Sequence, residues 1–163
     1  MIRILFVCHG NICRSPMAEF VLKQMTGEQF HIESAATSRE EIGNDIYPPA
    51  KAILREMGIP FEKRRARQMT KEDYAAFDYL IGMDDANVRN MLRICGGDPE
   101  DKIFRLLDFA GIDRNVSDPW YTGNFEETYR DVVTGCEAFL GMLRKSSEYY
   151  TKDRDTGNQP GVI

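Results

Sequence analysis

The chain has 163 residues, of which 42% are hydrophobic and 29% are charged, and its formal net charge is -5. These values are typical of one globular domain that buries its own core, which we assign to residues 1–150. The negative charge argues against nucleic acid as a partner, because phosphate backbones are bound by basic surfaces. The apolar run at residues 4–7 is too short for a signal peptide or a membrane span, so we expect no membrane partner.

A β-strand is predicted first, over residues 2–7, where β-branched and aromatic side chains form an apolar run. Ser15 and Pro16 then predict the start of a helix, with Ser15 as its N-cap and Pro16 at its first helical position. That helix continues through Met25, and Gly27 is placed to end it. A second strand is predicted over residues 30–35, a helix over residues 50–57, and a short helix opening at Thr70.

The second half of the chain repeats this alternation. We predict strands over residues 78–83 and 103–107, a helix over residues 85–93 between them, and a long final helix that Asn124 caps. Residues 151–163 are polar and are predicted to form a disordered tail. Alternating strands and helices predict an α/β fold with a mainly parallel sheet covered on both faces. In such sheets ligands bind beyond the carboxyl ends of the strands, which is where Cys8 lies.

The four cysteines are Cys8, Cys13, Cys95 and Cys136. Their spacing is not the framework typical of secreted disulfide-rich domains, and no two of them form the C-x-x-C pair typical of structural zinc sites. We therefore expect free thiols, a cytoplasmic location and no bound metal.

A cysteine and an arginine flank the turn between the first strand and the first helix. Cys8 and Arg14 are six positions apart, which is weak evidence alone, but Gly10 and Asn11 between them favour a tight loop. Such a loop turns successive backbone N–H groups toward an anion, and the helix N-terminus adds positive potential. Arg14 offers a planar fork for two phosphate oxygens. These surroundings favour the thiolate of Cys8, which is then positioned for in-line attack on phosphorus.

Transfer of a phosphoryl group to sulfur also requires a general acid, because an alkoxide or phenoxide leaves poorly without a proton. The best candidate is Asp118, which lies in a loop because Pro119 follows it. Trp120 and Tyr121 come next, and their rings are suited to line a slot for a flat substrate ring. In a second step, ionised Asp118 is expected to activate the water that hydrolyses the phosphocysteine.

These features resemble the low-molecular-weight protein tyrosine phosphatases, over nearly the whole chain to about residue 143. The resemblance rests on the loop of residues 8–15 and on the segment Asp118-Pro119-Trp120-Tyr121, which together are highly specific. It extends to the segments Ser34-Ala35-Ala36-Thr37, Ala66-Arg67-Gln68, Phe77-Asp78-Tyr79 and Met83-Asp84.

The resemblance implies a three-layer fold with a four-stranded parallel sheet, and hydrolysis of phosphotyrosine in proteins and of small aryl phosphates through a phosphocysteine. It implies that Cys8 is the nucleophile, Arg14 the phosphate binder, and Asp118 the acid and then the base. It implies no metal or other cofactor, and we expect a monomer or a weak dimer. The expected substrate-binding residues are His9, Gly10, Asn11, Ile12, Cys13, Ser15, Trp120 and Tyr121.

Three alternatives compete with this hypothesis. Arsenate reduction on the same fold needs a mobile pair of resolving cysteines, whereas Cys95 and Cys136 are far apart in sequence and expected to be buried. Related bacterial protein-arginine phosphatases tend to have Thr at the position of Ile12, so Ile12 favours the phosphotyrosine hypothesis. A phosphate-binding module without activity is disfavoured, because all three candidate catalytic residues are present.

Two positions leave finer questions open. Cys13 matches a second family cysteine that can trap oxidised Cys8 as a reversible disulfide, while a structural role is the alternative. Glu40 stands where eukaryotic relatives often have an aromatic residue, so the preferred phosphopeptide is not determined by the sequence.

Overall fold

A computed structural model gives the fold, and it describes the backbone of residues 1–157 and the side chains of residues 1–146. The strands are β1 (Ile2–Cys8), β2 (Phe30–Ala36), β3 (Tyr79–Gly82) and β4 (Ile103–Arg105). The helices are α1 (Arg14–Met25), α2 (Pro48–Glu56), α3 (Asp73–Ala76), α4 (Asp85–Cys95), α5 (Pro119–Thr122) and α6 (Phe125–Gly157), with a 3₁₀ helix at Leu106–Ala110.

The four strands are all parallel, and their order across the sheet is β2-β1-β3-β4. Helices α1 and α6 pack together on one face, and α4 packs on the other. The predicted α/β fold, with three layers and a four-stranded parallel sheet, is confirmed.

Strand β1 is central and buried on both faces, as its continuous apolar sequence predicts. Its side chains alternate between two cores. Ile4, Phe6 and Cys8 belong to the core beneath α1 and α6, whereas Leu5 and Val7 belong to the core beneath α4. This alternation fixes the direction of the Cys8 side chain relative to the sheet.

The order of the strands also creates a crevice beside Cys8. The chain leaves β1 toward β2 on one side and reaches β3, on the other side of β1, only later. A crevice opens at such a switch point, beyond the carboxyl ends of the strands. Cys8 is the last residue of β1, and Asp84 lies two residues after the end of β3, so both lie at this edge of the sheet.

The short helix predicted to open at Thr70 begins at Asp73, and the strand predicted over residues 78–83 spans Tyr79–Gly82. Two other boundaries differ from the predictions for local reasons. The fourth strand ends at Arg105 rather than at residue 107, because Leu106 and Leu107 are both fully buried in the same core. Consecutive side chains reach one core from a helical turn and not from a strand, whose side chains alternate. Helix α2 begins at Pro48, two residues earlier than predicted, because the first turn of a helix accommodates proline.

Helix α6 begins as the sequence predicts. The Asn124 side-chain oxygen accepts a hydrogen bond from the backbone N–H of Glu127 at 3.0 Å, which confirms the cap. Val132, Cys136 and Phe139, at spacings of four and three residues, are fully buried and form the face that α6 turns toward the core.

The last part of the chain is described only in its backbone. Helix α6 continues to Gly157, past residue 151 where we predicted the tail to begin, and residues 158–163 lie outside the described residues. Disorder of the tail therefore stays a prediction. No helix in the described part of the chain is long and apolar enough to cross a bilayer.

Candidate active site

The loop between β1 and α1, residues 9–13, is held from outside by its carbonyl oxygens. Four of the carbonyls at residues 8–12 accept hydrogen bonds from groups elsewhere in the chain: Cys8 from Thr37 N (3.0 Å), His9 from Ser38 N (3.1 Å), Asn11 from Arg64 Nη2 (2.6 Å) and Ile12 from Tyr47 N (2.9 Å). By contrast, within the described structure the amides of residues 10, 12, 13 and 14 have no backbone or side-chain acceptor. These four residues line a cleft, so their N–H groups are left for a ligand there.

Asn11 and not Gly10 provides the tight bend in this loop. The φ angle of Asn11 is 60°, in the left-handed region that Asn tolerates better than most residues. Gly10 has no positive φ, so the left-handed residue of the predicted tight loop is Asn11. A Cβ atom at Gly10 would lie 3.4 Å from Cγ of Glu41, which is van der Waals contact.

The sulfur of Cys8 lies among hydrogen-bond donors. The backbone N–H groups of Asn11 and Ser15 donate to Sγ at 3.3 and 3.4 Å, and the Ser15 hydroxyl oxygen lies 3.0 Å from it. Cys8 is only 3% exposed. Donors around a sulfur that is shielded from water stabilise its anion, because hydrogen bonds to charged groups are the strong ones.

A chain of side chains beneath the loop turns the Ser15 hydroxyl toward the sulfur. The Asn11 amide donates to the hydroxyl oxygens of Ser15 (2.8 Å) and Ser34 (2.9 Å), and Ser34 in turn donates to Glu19 (2.6 Å). Because Ser15 already accepts a hydrogen bond from Asn11, its own proton is available to Cys8. The competing acceptor, the carbonyl of Ala35, is farther away at 3.5 Å.

This use of Ser15 corrects the predicted start of α1. The helix begins at Arg14, with Cys13 at the N-cap position and no side-chain capping bond. The hydroxyl of Ser15 is buried against Cys8, so it does not cap the helix.

Arg14 is held from three sides. Its Nη1 donates to Asp84 Oδ2 (2.7 Å) and to the Val116 carbonyl (3.0 Å), and its Nη2 approaches Asp118 Oδ2 (3.4 Å). A guanidinium has five N–H groups, so Nε–H and one Nη2–H have no acceptor among the described residues. Burial lowers the pKa of Arg14, but the negative charges of Cys8 and Asp84 outweigh it and raise that pKa, so the side chain stays charged.

Asp118 reaches the same place from a distant loop. It caps the short helix α5, where its Oδ1 accepts from the Trp120 backbone N–H at 3.0 Å, and its side chain is 27% exposed. Trp120 and Tyr121 are exposed at the cleft rather than packed in the core. The centroid of the Trp120 ring lies 4.9 Å from that of Tyr47, and these two rings form an aromatic wall next to Asp118.

The cleft above Cys8 opens to solvent and has a cavity volume of about 130 Å³. Of the site residues predicted from the sequence, all but two line it: Cys8, His9, Gly10, Ile12, Cys13, Arg14, Asp118, Trp120 and Tyr121. Asn11 and Ser15 are fully buried, and they contact the sulfur rather than line the cleft.

Comparison with known proteins agrees with this geometry. Residues 3–149 match the family of low molecular weight phosphotyrosine protein phosphatases. This chain belongs to that family. It is 39% identical to the low molecular weight protein-tyrosine-phosphatase YfkJ of Bacillus subtilis, over 91% of this chain and 99% of that protein. It is 38% identical to the human low molecular weight phosphotyrosine protein phosphatase, over 84% and 92%. The crystal structure of the Streptococcus pyogenes enzyme SP-PTP has 43% identity and a TM-score of 0.81, and the match covers 88% of this chain and 93% of that one.

The chain is therefore a phosphatase that hydrolyses phosphotyrosine through a phosphocysteine, and the Cys-x5-Arg loop of residues 8–14 fits that activity. Among the residues that the structure describes, no group of three or more His, Cys, Asp and Glu side chains is arranged to hold a metal ion.

The four cysteines of the phosphatase are free and buried, in different environments. Burial, followed by the negative charges of Cys8 and Asp118, raises the pKa of Cys13 to about 12, so Cys13 is a neutral thiol in the cleft. Cys95 and Cys136 belong to the cores on opposite faces of the sheet. These two cannot pair with each other, which disfavours the arsenate reduction considered above.

Several residues around the phosphatase loop had no role predicted from the sequence, although Ser34 and Asp84 lie in segments of the family resemblance. They are Asp84, which pairs with Arg14; Ser34, Arg64 and Tyr47, which hold the loop or the wall; and Glu41, which lines the cleft. Only Asp84 had a local signal. It follows a buried strand and caps α4, with Asn87 completing a capping box.

Proposed function

We propose that Cys8 is the nucleophile of this phosphatase, that Arg14 binds the phosphate, and that Asp118 is the general acid and then the general base. The phosphate comes from the phosphotyrosine that this family hydrolyses. The observation that carries the proposal is the meeting of these three residues in one cleft, with donors aimed at the sulfur of Cys8 and aromatic rings beside the carboxylate of Asp118.

In the first step, the free N–H groups of Arg14 and the loop amides hold the phosphate oxygens above the sulfur. The Cys8 thiolate attacks phosphorus, an S–P bond forms, and the bond between phosphorus and the phenolic oxygen breaks. The electron pair of that bond goes to the oxygen, which takes a proton from Asp118. The products are phosphocysteine and the unphosphorylated tyrosine side chain of the substrate protein.

In the second step, water attacks phosphorus from the position that the phenol has left. Ionised Asp118 takes the proton of the water, and the S–P bond breaks with its electron pair on sulfur. The donors around Sγ stabilise this leaving thiolate, just as they stabilise the attacking one. Phosphate then dissociates, and the enzyme returns to its starting state.

The wider setting is proposed from composition. We expect the phosphatase to act in the cytoplasm, as a monomer or weak dimer, on phosphoproteins rather than on nucleic acid or a membrane. The free cysteines suit a reducing compartment, and the net charge of -5 disfavours polyanions. Sedimentation at micromolar concentration measures the oligomeric state.

The roles are tested with p-nitrophenyl phosphate and a phosphotyrosine peptide as substrates. We expect Cys8→Ser to abolish turnover and Asp118→Asn to lower kcat by about 10²–10⁴, the range for a general acid. Asparagine retains an oxygen for the Trp120 N–H, so the fold of α5 is retained while the proton donor is lost. Wild-type turnover in either variant rejects the assigned roles. A phosphoarginine peptide serves as the comparison substrate, and we expect it to be hydrolysed more slowly than the phosphotyrosine peptide.

A further inference from the structure

Arg105, at the end of β4, binds several acceptors on the outside of the site. Its side chain is only 11% exposed, and its guanidinium donates to Asp85 (3.0 Å), Asp108 (2.7 Å), Asp113 (2.6 Å) and the side-chain oxygen of Asn115 (3.3 Å). It does not line the cleft, and neither proposed chemical step uses it. Its four partners lie on three segments that follow β3 and β4: the start of α4, the 3₁₀ helix, and the loop of residues 111–118.

Two of these segments carry the groups that hold Arg14. Asp85 directly follows Asp84, whose carboxylate accepts from Arg14. The loop of residues 111–118 carries Val116, whose carbonyl accepts from the same nitrogen, and it ends at Asp118. The spacing between the start of α4 and this loop therefore determines where the catalytic arginine and the catalytic acid stand relative to each other.

Arg105 bridges these segments with its side chain, beside two other hydrogen bonds that join them. Asn115 accepts both from Arg105 and from the backbone N–H of Asp85 (3.0 Å), which joins the loop to α4 directly. One backbone bond, from Val116 N to Met83 O (2.9 Å), runs beside this network. Another arginine of the loop, Arg114, ties it to α6 instead, through two bonds of 2.8 Å to Asp131.

We infer that Arg105 is a positioning residue, which holds the loop of residues 111–118 against the start of α4 and thereby places Asp118 over the leaving oxygen. This inference rests on the proposed role of Asp118. The planar fork of arginine reaches acceptors in several directions at once, whereas the ammonium of lysine is a point charge that cannot bridge all four. Because the acidic partners are exposed, each ion pair alone contributes little to stability. The position of the loop therefore depends on the single guanidinium that all of them share.

The test compares two substrates that need the acid to different extents. Phenyl phosphate has a poor leaving group and depends on protonation, whereas p-nitrophenyl phosphate has a good one and depends on it less. The value of kcat/KM reports the step in which the leaving group departs. A misplaced acid therefore raises the ratio of kcat/KM for p-nitrophenyl phosphate to that for phenyl phosphate. A general loss of folded enzyme lowers both values equally and leaves the ratio unchanged.

We expect Arg105→Gln to raise this ratio about three- to tenfold, a part of the effect that misplacement of a catalytic group can have. Arg105→Lys should give an intermediate value. Asp118→Asn is the positive control, and Arg130→Gln, which removes an exposed arginine paired with Glu126 on α6, should leave the ratio unchanged. The absence of a ratio change in Asp118→Asn would refute the proposed acid itself, separately from the inference on Arg105.

The inference is overturned if Arg105→Gln keeps the wild-type ratio within a factor of two, whatever its thermal midpoint. A lower midpoint with an unchanged ratio would mean that the arginine serves stability alone. If Arg105→Gln does not fold, the ratio in Arg105→Lys decides by the same criterion.

Discussion

Replacing Ser15 by alanine tests the stabilisation of the Cys8 anion. The variant removes the hydroxyl that lies 3.0 Å from Sγ, in a helix where alanine is well tolerated. A hydrogen bond to a charged group contributes about 1.5–3 kcal/mol. Because the N–H groups of Asn11 and Ser15 still donate to the sulfur, we expect the lower part of this range, about 1.5–2 kcal/mol. This corresponds to a fall in kcat/KM of about 10- to 30-fold.

The assay is steady-state hydrolysis of p-nitrophenyl phosphate, with urea unfolding to measure stability. Ser34→Ala is the matched control, because it removes a neighbouring hydroxyl that binds Asn11 and Glu19 but does not touch the sulfur. We expect this control to lose about 1–2 kcal/mol of unfolding free energy and to keep kcat/KM within about threefold of wild type. Equal activity losses in the two variants, or a Ser15→Ala enzyme within twofold of wild type, would refute the assigned direction of the hydroxyl.

Three further predictions concern the cleft. At neutral pH iodoacetate should alkylate Cys8 and not Cys13, because the pKa of Cys13 is raised to about 12. Phosphate should slow the alkylation of Cys8. Peptide mass mapping that finds Cys13 modified contradicts this prediction. Asp84→Asn removes the ion pair with Arg14 and should lower the unfolding free energy by about 1–2 kcal/mol, as measured by urea titration. The loss is smaller than for a fully buried ion pair, because the Asp84 side chain is 20% exposed. Trp120→Ala should raise KM for a phosphotyrosine peptide about 2- to 12-fold with kcat unchanged, as expected for the loss of one aromatic contact. An unchanged KM would mean that the substrate ring does not contact Trp120.

The parts of the site that could be predicted from the sequence lie in continuous segments. Residues 8–14 combine a strand end, a loop and a helix start, and Asp118 is marked by the proline and aromatic residues that follow it. Short segments of this kind have few conformations open to them. The fold was predictable for a similar reason, because the alternation of strands and helices restricts the topology to a few possibilities.

The remaining residues depend on contacts between distant segments. Ser34 and Tyr47 come from other parts of the chain. Ser34 lies in a segment of the family resemblance, but that segment does not indicate the contact with Asn11. Ser15 shows a different limit. Its hydroxyl had two possible uses, as a helix cap or as a donor to Cys8, and only the tertiary structure, with Asn11 beneath the loop, decides between them.

The external anchoring of the loop carbonyls has a consequence for ligand recognition. Those anchors come from residues 37, 38, 47 and 64, so the anion site takes its shape when the whole domain folds, before any anion arrives. Binding then needs no segment to become ordered, and preorganisation of this kind increases affinity. A peptide of residues 7–16 alone lacks every one of these anchors. Inhibitors that bind this loop should therefore match a tetrahedral oxyanion, because the anchored carbonyls keep the loop from widening around a larger group.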